Sequence, residues 1–220
     1  MMTRAFLSLA ILCLLSFDRP AAFAPPAPIA APAPVPGDDL TVSYVLTITA
    51  KKGNTGIAET YNGGIETFFT RQDQARLRLT TLMRIQSLYA QMDQGRLKRV
   101  MIVKESGAHK ERTPFSADQW TQYNKKYAAQ TFELTNDTTL ILRYVCKKAI
   151  ITLQDGRQLT AWYTPNLQSP AFACLEPAFS SVPGLVLQYE YTWRKKTLRY
   201  TATSISHKLI DPDVFNPSGS

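Results

Sequence analysis

The sequence predicts a mainly β (α+β) protein: a large, curled antiparallel sheet with one helix, at about 116–129, packed on it. Three observations predict this. Apolar residues recur with a period of two along most of the chain after residue 40, the runs are separated by turn signals, and one segment alone switches to helical spacing.

In "TVSYVLTITAK" (41–51), Val42, Tyr44, Leu46, Ile48 and Ala50 share one face and threonines and a serine the other, the pattern of a half-buried strand. "GIETFFTR" reads as a second strand, and "ARLRLTTL" places Ala75, Leu77 and Leu79 together on a third. "RIQSLYAQM" and "RLKRVMIV" flank Asp-Gln-Gly, a short hairpin loop with Gly95 at positive φ. His109 lies in "ESGAHKER", polar enough to read as a loop. In "TPFSADQWTQYNKKYAAQ", Ser116 with Gln119 three residues on forms a capping box, and Trp120, Tyr123 and Tyr127 share the face that packs on the sheet. "TTLILRYVCKKAIITL" and "RQLTAWYT" flank Asp155-Gly156, the strongest two-residue hairpin signal in the chain. "GLVLQYEYTW" and "TLRYTATSI" form a last hairpin through Arg194, Lys195 and Lys196. So many strands in one sheet must curl, close or split, and a curled sheet encloses a concave face.

Ahead of this domain, residues 1–24 carry an early Arg4, an apolar stretch from Ala5 to Phe17 and small residues at Ala22 and Ala24, the layout of a secretory signal peptide. About thirteen apolar residues fall short of the roughly 20 that span a bilayer as a helix. Residues 25–37 are a Pro/Ala-rich leader suited to extended polyproline II, and residues 38–220 form a single domain. The formal net charge is +8, and removal of Arg4, Arg19 and Asp18 leaves +7 on the exported part. That balance favours anionic partners such as lipid headgroups, while export argues against nucleic acid. Scattered bases on strand faces also have the plain reading of a solvated surface.

An exported chain is expected to be oxidised, so Cys146 and Cys174 are expected to form a disulfide, which stabilises by roughly 2–4 kcal/mol. The alternative is a reactive thiol beside Lys147 and Lys148, which point to opposite faces of a strand. The sequence holds no G-x-S-x-G, H-E-x-x-H, phosphate loop or dinucleotide fingerprint, and His109 and His207 are isolated. No catalytic residue, cofactor or metal is therefore expected.

"YVCKKAIITLQDGRQLTAWYTPNL", then "PGLVLQYEY", then "DPDVFNPSG" resemble the GLPGLI family of exported Gram-negative proteins and a related exported family of unknown function. The resemblance rests on Cys146, Lys147, Lys148 and Ala149 opening a strand; Trp162 to Pro165 ending its partner; Pro183, Gly184 and Leu185 starting the next; and Asp213, Phe215, Pro217 and Gly219 at the close. It covers 140–219, with "SSVPGLVL" standing where the family has Gly-Leu-Pro-Gly. It implies a half-barrel like that of periplasmic lipoprotein carriers, and it supplies no catalytic residues.

Two functions follow as expectations for an exported protein of the periplasm or outer membrane. The first is a non-enzymatic module binding an apolar or lipidated ligand, a lipid or lipoprotein, in the concave sheet through Lys147, Lys148, Trp162, Tyr189, Tyr191 and Trp193. The second is an envelope assembly protein that holds a protein partner and has no ligand pocket. Large aromatics turned inward would fill the cup and favour the second.

Overall fold

The computed structural model describes residues 39–50, 60–193 and 196–218. The segments read as a signal peptide and a leader lie outside these residues, as do the side chains of Ala50, Gln130 and Trp193. The elements are β1 (Leu40–Ala50), β2 (Ile65–Arg71), β3 (Gln74–Thr80), β4 (Ile85–Asp93), β5 (Arg96–Ser106), β6 (His109–Ser116) and α1 (Ala117–Asn124) with a 3-10 turn at Lys125–Tyr127. They continue with β7 (Ala129–Ile141), β8 (Tyr144–Leu153), β9 (Gln158–Thr164), α2 (Pro170–Leu175) with a 3-10 turn at Pro177–Phe179, β10 (Leu185–Trp193), β11 (Lys196–Ser206) and a last 3-10 turn at Pro212–Phe215.

Among the described residues the strands form one antiparallel sheet of eleven, in the order β6-β5-β4-β3-β2-β1-β11-β10-β9-β8-β7. The first strand lies between β2 and β11, so the two ends of the chain meet in the middle of the sheet and the sequence neighbours β6 and β7 become its two edges. A flat sheet would set those edges about 48 Å apart at ~4.8 Å per strand, whereas the helical link between them reaches only about 18 Å. The sheet therefore has to curl into a half-barrel.

Its inner face is built by alternation in register. Val42, Phe68, Leu77, Leu88 and Ile102 stand opposite one another across β1 to β5. All five are buried. Bulges at Ser43/Tyr44 in β1 and Val186/Gln188 in β10 bend the sheet further, and the second leaves Leu185, Val186 and Leu187 all buried in sequence. The outer face of β2 to β6 is crossed by the C-terminal tail. Ile210 N donates to Asp39 at 2.6 Å, Arg76 donates to Val214 O at 3.0 Å and Arg112 to Pro217 O at 3.3 Å. Ile210 and Phe215 are buried by this strap.

Four local features differ from the sequence reading. Residues 109–112 of the segment read as a loop belong to an edge strand, His109–Ser116, whose pairing with β5 accepts Pro114 because it lies at the sheet's edge. The run 138–153 is broken by a tight turn at Leu142, whose φ of 55° no glycine advertises. The helix begins at the expected capping box but ends as α-helix at Asn124, its last turn tightening to 3-10. A second, short helix, α2, occupies a segment that carried no periodicity.

Candidate functional site

The concave face is occupied by the chain between β9 and β10. Phe172 of α2 packs edge-on to Phe68 at 5.1 Å and stacks with Tyr44 at 6.3 Å, while Phe179 stacks with Phe172 at 5.8 Å and meets Tyr189 edge-on at 4.9 Å. This segment thus touches β1, β2 and β10, and α2 also packs on β3 and β4 while its 3-10 turn packs on β7 and β8. Only a plug inside the curl can reach strands from both halves of the sheet. Trp120 of α1 pins it by donating Nε1–H to Cys174 O at 2.8 Å, and Trp120 stacks with Tyr123 and meets Phe115 edge-on.

The plug's large apolar side chains Leu167, Phe172, Leu175 and Phe179 are buried. At about 1.5–3 kcal/mol each, exposing these four would cost roughly 6–12 kcal/mol, comparable to the ~5–15 kcal/mol that stabilises a whole domain. The plug is core, and an acyl chain entering the cup has to replace it rather than slip past it.

Where plug and wall meet lies a polar cluster that the sequence reading missed. Glu66, on β2 beside Tyr44, is fully buried, and its Oε1 accepts from the Tyr189 hydroxyl at 3.0 Å. Burial raises its carboxyl from 4.5 to about 8, partly offset by the Tyr189 hydrogen bond. Glu176, buried just after α2, is pushed well up by burial and by the charge of Glu66. Burial and the charge of Glu66 likewise raise Tyr44, whose hydroxyl donates to Val186 O at 2.8 Å, and Tyr189, which stacks on Tyr200 at 4.6 Å. Glu66 Oε2, Glu176 Oε1 and Gln86 Nε2 are buried without a hydrogen-bond partner. The signal in sequence was the parity of Glu66: it shares its face with Phe68, a carboxyl placed on an apolar period. Burial thus disfavours the ionised form of both carboxyls. Among the described residues no group of three His, Cys, Asp or Glu could hold a metal.

The six residues expected to bind ligand divide between the two sides of the sheet. Tyr189 and Tyr191 are buried inside. Trp162 stands opposite Lys148 in the β8–β9 register and alternates with the inward Ala161, so both face outward, with Lys148 Nζ 5.8 Å over the Trp162 ring and 2.7 Å from Asp137. Lys147 is exposed, and the Trp193 side chain lies outside the described residues. The expected disulfide is not formed in this structure: Cys146 and Cys174 are thiols. Cys146 Sγ donates to Tyr144 O at 3.5 Å instead. Burial pushes the Cys146 thiol up to about 12 and raises Cys174, which disfavours the thiolate that the reactive-cysteine alternative needs. His109 opens β6 and His207 follows β11, both exposed.

Taken together, these features define an antiparallel half-barrel closed from within by its own chain. No protein-family profile matches the chain, and no curated protein matches it. Among solved structures it is similar to PNGF-II in the P21 space group, at a TM-score of 0.47 and 18% identity over 81% of this chain and 30% of that one. It is also similar to LprF from Mycobacterium bovis (TM-score 0.37, 9% identity, 80% of this chain and 89% of that one). A third is a β-barrel-like protein of the domain of unknown function DUF1849 from Brucella abortus (TM-score 0.31, 8% identity, 78% and 98%). The chain spans about 30% of the length of PNGF-II. At these levels the functional reading rests on the site itself.

Proposed function

We propose that the protein is an exported, non-enzymatic component of the Gram-negative cell envelope that holds a protein partner along its free strand edge, β7. The observation that carries this reading is the contrast between the two edges. Edge β6 is guarded by Pro114 and by the charges of Lys110, Glu111 and Arg112. Edge β7 is thirteen residues long, contains neither proline nor a basic residue, carries the exposed Glu133 and Asp137, and shifts register between Ala129 and Thr131 and between Leu134 and Thr138. Exposed aliphatic side chains gather on its hairpin with β8: Leu134, Leu140, Leu142 and Val145 are each 40–52% exposed, and Leu140 and Val145 are cross-strand partners. A long edge without proline and with apolar side chains beside it is what strand addition by a partner uses. Membership of the GLPGLI family is part of this proposal. It is supported by the positions of the motif residues: Trp162 to Thr164 end β9, Leu185 starts β10, and Phe215 is buried by the strap.

A second reading keeps the cup as the site of an apolar or lipidated ligand that takes the plug's place. Its support is the set of buried, partnerless polar atoms on Glu66, Gln86 and Glu176, which a ligand's polar group would satisfy. One preparation separates the two readings. A photo-crosslinking residue at Leu140 should give a discrete protein adduct in the envelope, lost when Leu134→Lys charges the edge. Organic extraction and mass spectrometry should find no stoichiometric lipid. A bound lipid together with an adduct indifferent to the edge charge would replace the first reading with the second.

A further inference from the structure

A second surface stands apart from both the cup and the β7 edge. The ends of β1, β3, β5, β8 and β10 and the starts of their partners form one rim of the half-barrel, and the link from β3 to β4 projects from it. Turn tips ordinarily carry Gly, Asn, Asp or Pro. This tip carries Leu82 and Met83, 84% and 62% exposed. Ile65, 44% exposed, starts β2 opposite Thr80, so it stands beside the base of the same turn.

The turn is braced from within. Thr81 N–H donates to Arg84 O at 2.9 Å, Arg84 N–H donates to Thr81 Oγ1 at 3.2 Å, and Ser106 Oγ donates to Met83 O at 3.3 Å. Its polar groups are spent on its own shape, and what it presents outward is apolar.

The same rim is basic. Among the described residues of the rim, the carboxylates Glu105, Glu111 and Asp155 each face a lysine or arginine, at 3.8, 3.6 and 2.6 Å. The 3-10 turn after α1 adds the exposed Lys125 and Lys126, placed at this rim by Gln154 N–H donating to Ala128 O and Asp155 N–H to Lys126 O. Arg84 follows the apolar tip, and Lys196 starts β11 on the same side. An apolar finger on a rim that carries positive charge has the chemistry of a peripheral contact with an anionic bilayer: aliphatic side chains enter the headgroup–acyl boundary and lysines meet the lipid charge.

We propose that this rim docks on an anionic membrane surface, with Leu82 and Met83 as the inserting residues and the basic rim as the electrostatic contact. The proposal is independent of the partner edge, which runs along the strands rather than at their ends.

The test is flotation of the purified exported form, residues 25–220, with two kinds of vesicle, phosphatidylcholine alone and phosphatidylcholine with about 30% phosphatidylglycerol. Flotation is expected with the anionic vesicles only, weakening as salt rises through the range where the Debye length shrinks below about 10 Å. The double variant Leu82→Ser/Met83→Ser should lose affinity by about tenfold or more, and Lys125→Glu/Lys126→Glu should abolish the preference for anionic lipid. Leu209→Ser removes a leucine 82% exposed on the tail and should bind as the parent does. All the substituted side chains are exposed, and circular dichroism of each variant should match the parent. Absence of flotation, equal flotation on both vesicle types, or serine variants at the tip that bind like the parent would each overturn the proposal. So would a change in oligomeric state in the Leu82/Met83 variant without any vesicle binding, which would assign the tip to contact between copies.

Discussion

Glu66 shows how far surroundings can move one group. A carboxyl with its ordinary value in the unfolded chain and a value of about 8 in the fold keeps its proton at neutral pH only while folded. The folded state then binds more protons, so stability is full below about pH 4.5, falls as pH rises, and levels off above about 8. The fall is on the order of 1 kcal/mol per pH unit from this group. The groups facing it are Tyr44 on β1, Tyr189 on β10 and Glu176 from the plug; the last also titrates upward and adds to the same slope. Denaturant midpoints measured from pH 5 to 8.5 should therefore decline for the parent, and Glu66→Gln should flatten the curve; an unchanged slope in that variant would remove Glu66 from the account. A second residue-scale case is Gly184. A Cβ there would collide with the Thr164 carbonyl oxygen of β9, closer than any real contact, so Gly184→Ala should destabilise markedly, on the order of 2 kcal/mol or more, seen as a lower melting temperature. That close approach is a physical reason for glycine in the Pro183-Gly184-Leu185 motif.

Among the elements, the plug carries the largest burden. Phe172→Ala removes a ring shared by Tyr44, Phe68 and Phe179 and should cost about 3–5 kcal/mol in chemical denaturation. If Phe172→Ala were nearly neutral, the plug would be a lid and the ligand reading of the cup would gain. The β7–β8 turn tests the opposite sign. Leu142 holds φ 55° while 43% exposed, a left-handed conformation that costs an L-residue about 1–2 kcal/mol. Leu142→Gly should raise stability by about 0.5–1 kcal/mol after glycine's extra chain entropy is subtracted, measurable as a higher urea midpoint. The strands were legible because alternation is local, and α1 because its capping box is local. The plug was not, since "SPAFACLEPAF" has no period of its own and is ordered by the walls it touches. Edge strand β6 was hidden by its polarity: it buries little, and its pairing with β5 is what makes it a strand.

For the molecule as a whole, the C-terminal strap links β1 to β6 across the outer face. Removal of residues 208–218 would take away the buried Ile210 and Phe215 and strip Arg76 of its Val214 carbonyl, leaving it with Ser87 and the Tyr89 ring at 4.7 Å. The expected loss is about 3–6 kcal/mol from the two apolar side chains alone, read as a fall in denaturant midpoint. The alternation of Val42, Tyr44 and Leu46, the glycine turns at Gly95 and Gly156 and the Ser116 cap determined by themselves that this is an antiparallel β protein with a helix. Each of these signals is read over a few neighbouring residues, where propensity and burial act directly. Only the tertiary structure decided that β1 pairs with β11, that the cup holds its own chain, that Trp162 faces out while Tyr189 faces in, and that Glu66 and Glu176 meet. Most of those outcomes join residues more than a hundred positions apart, and they are set by which faces can be buried together once the sheet has curled.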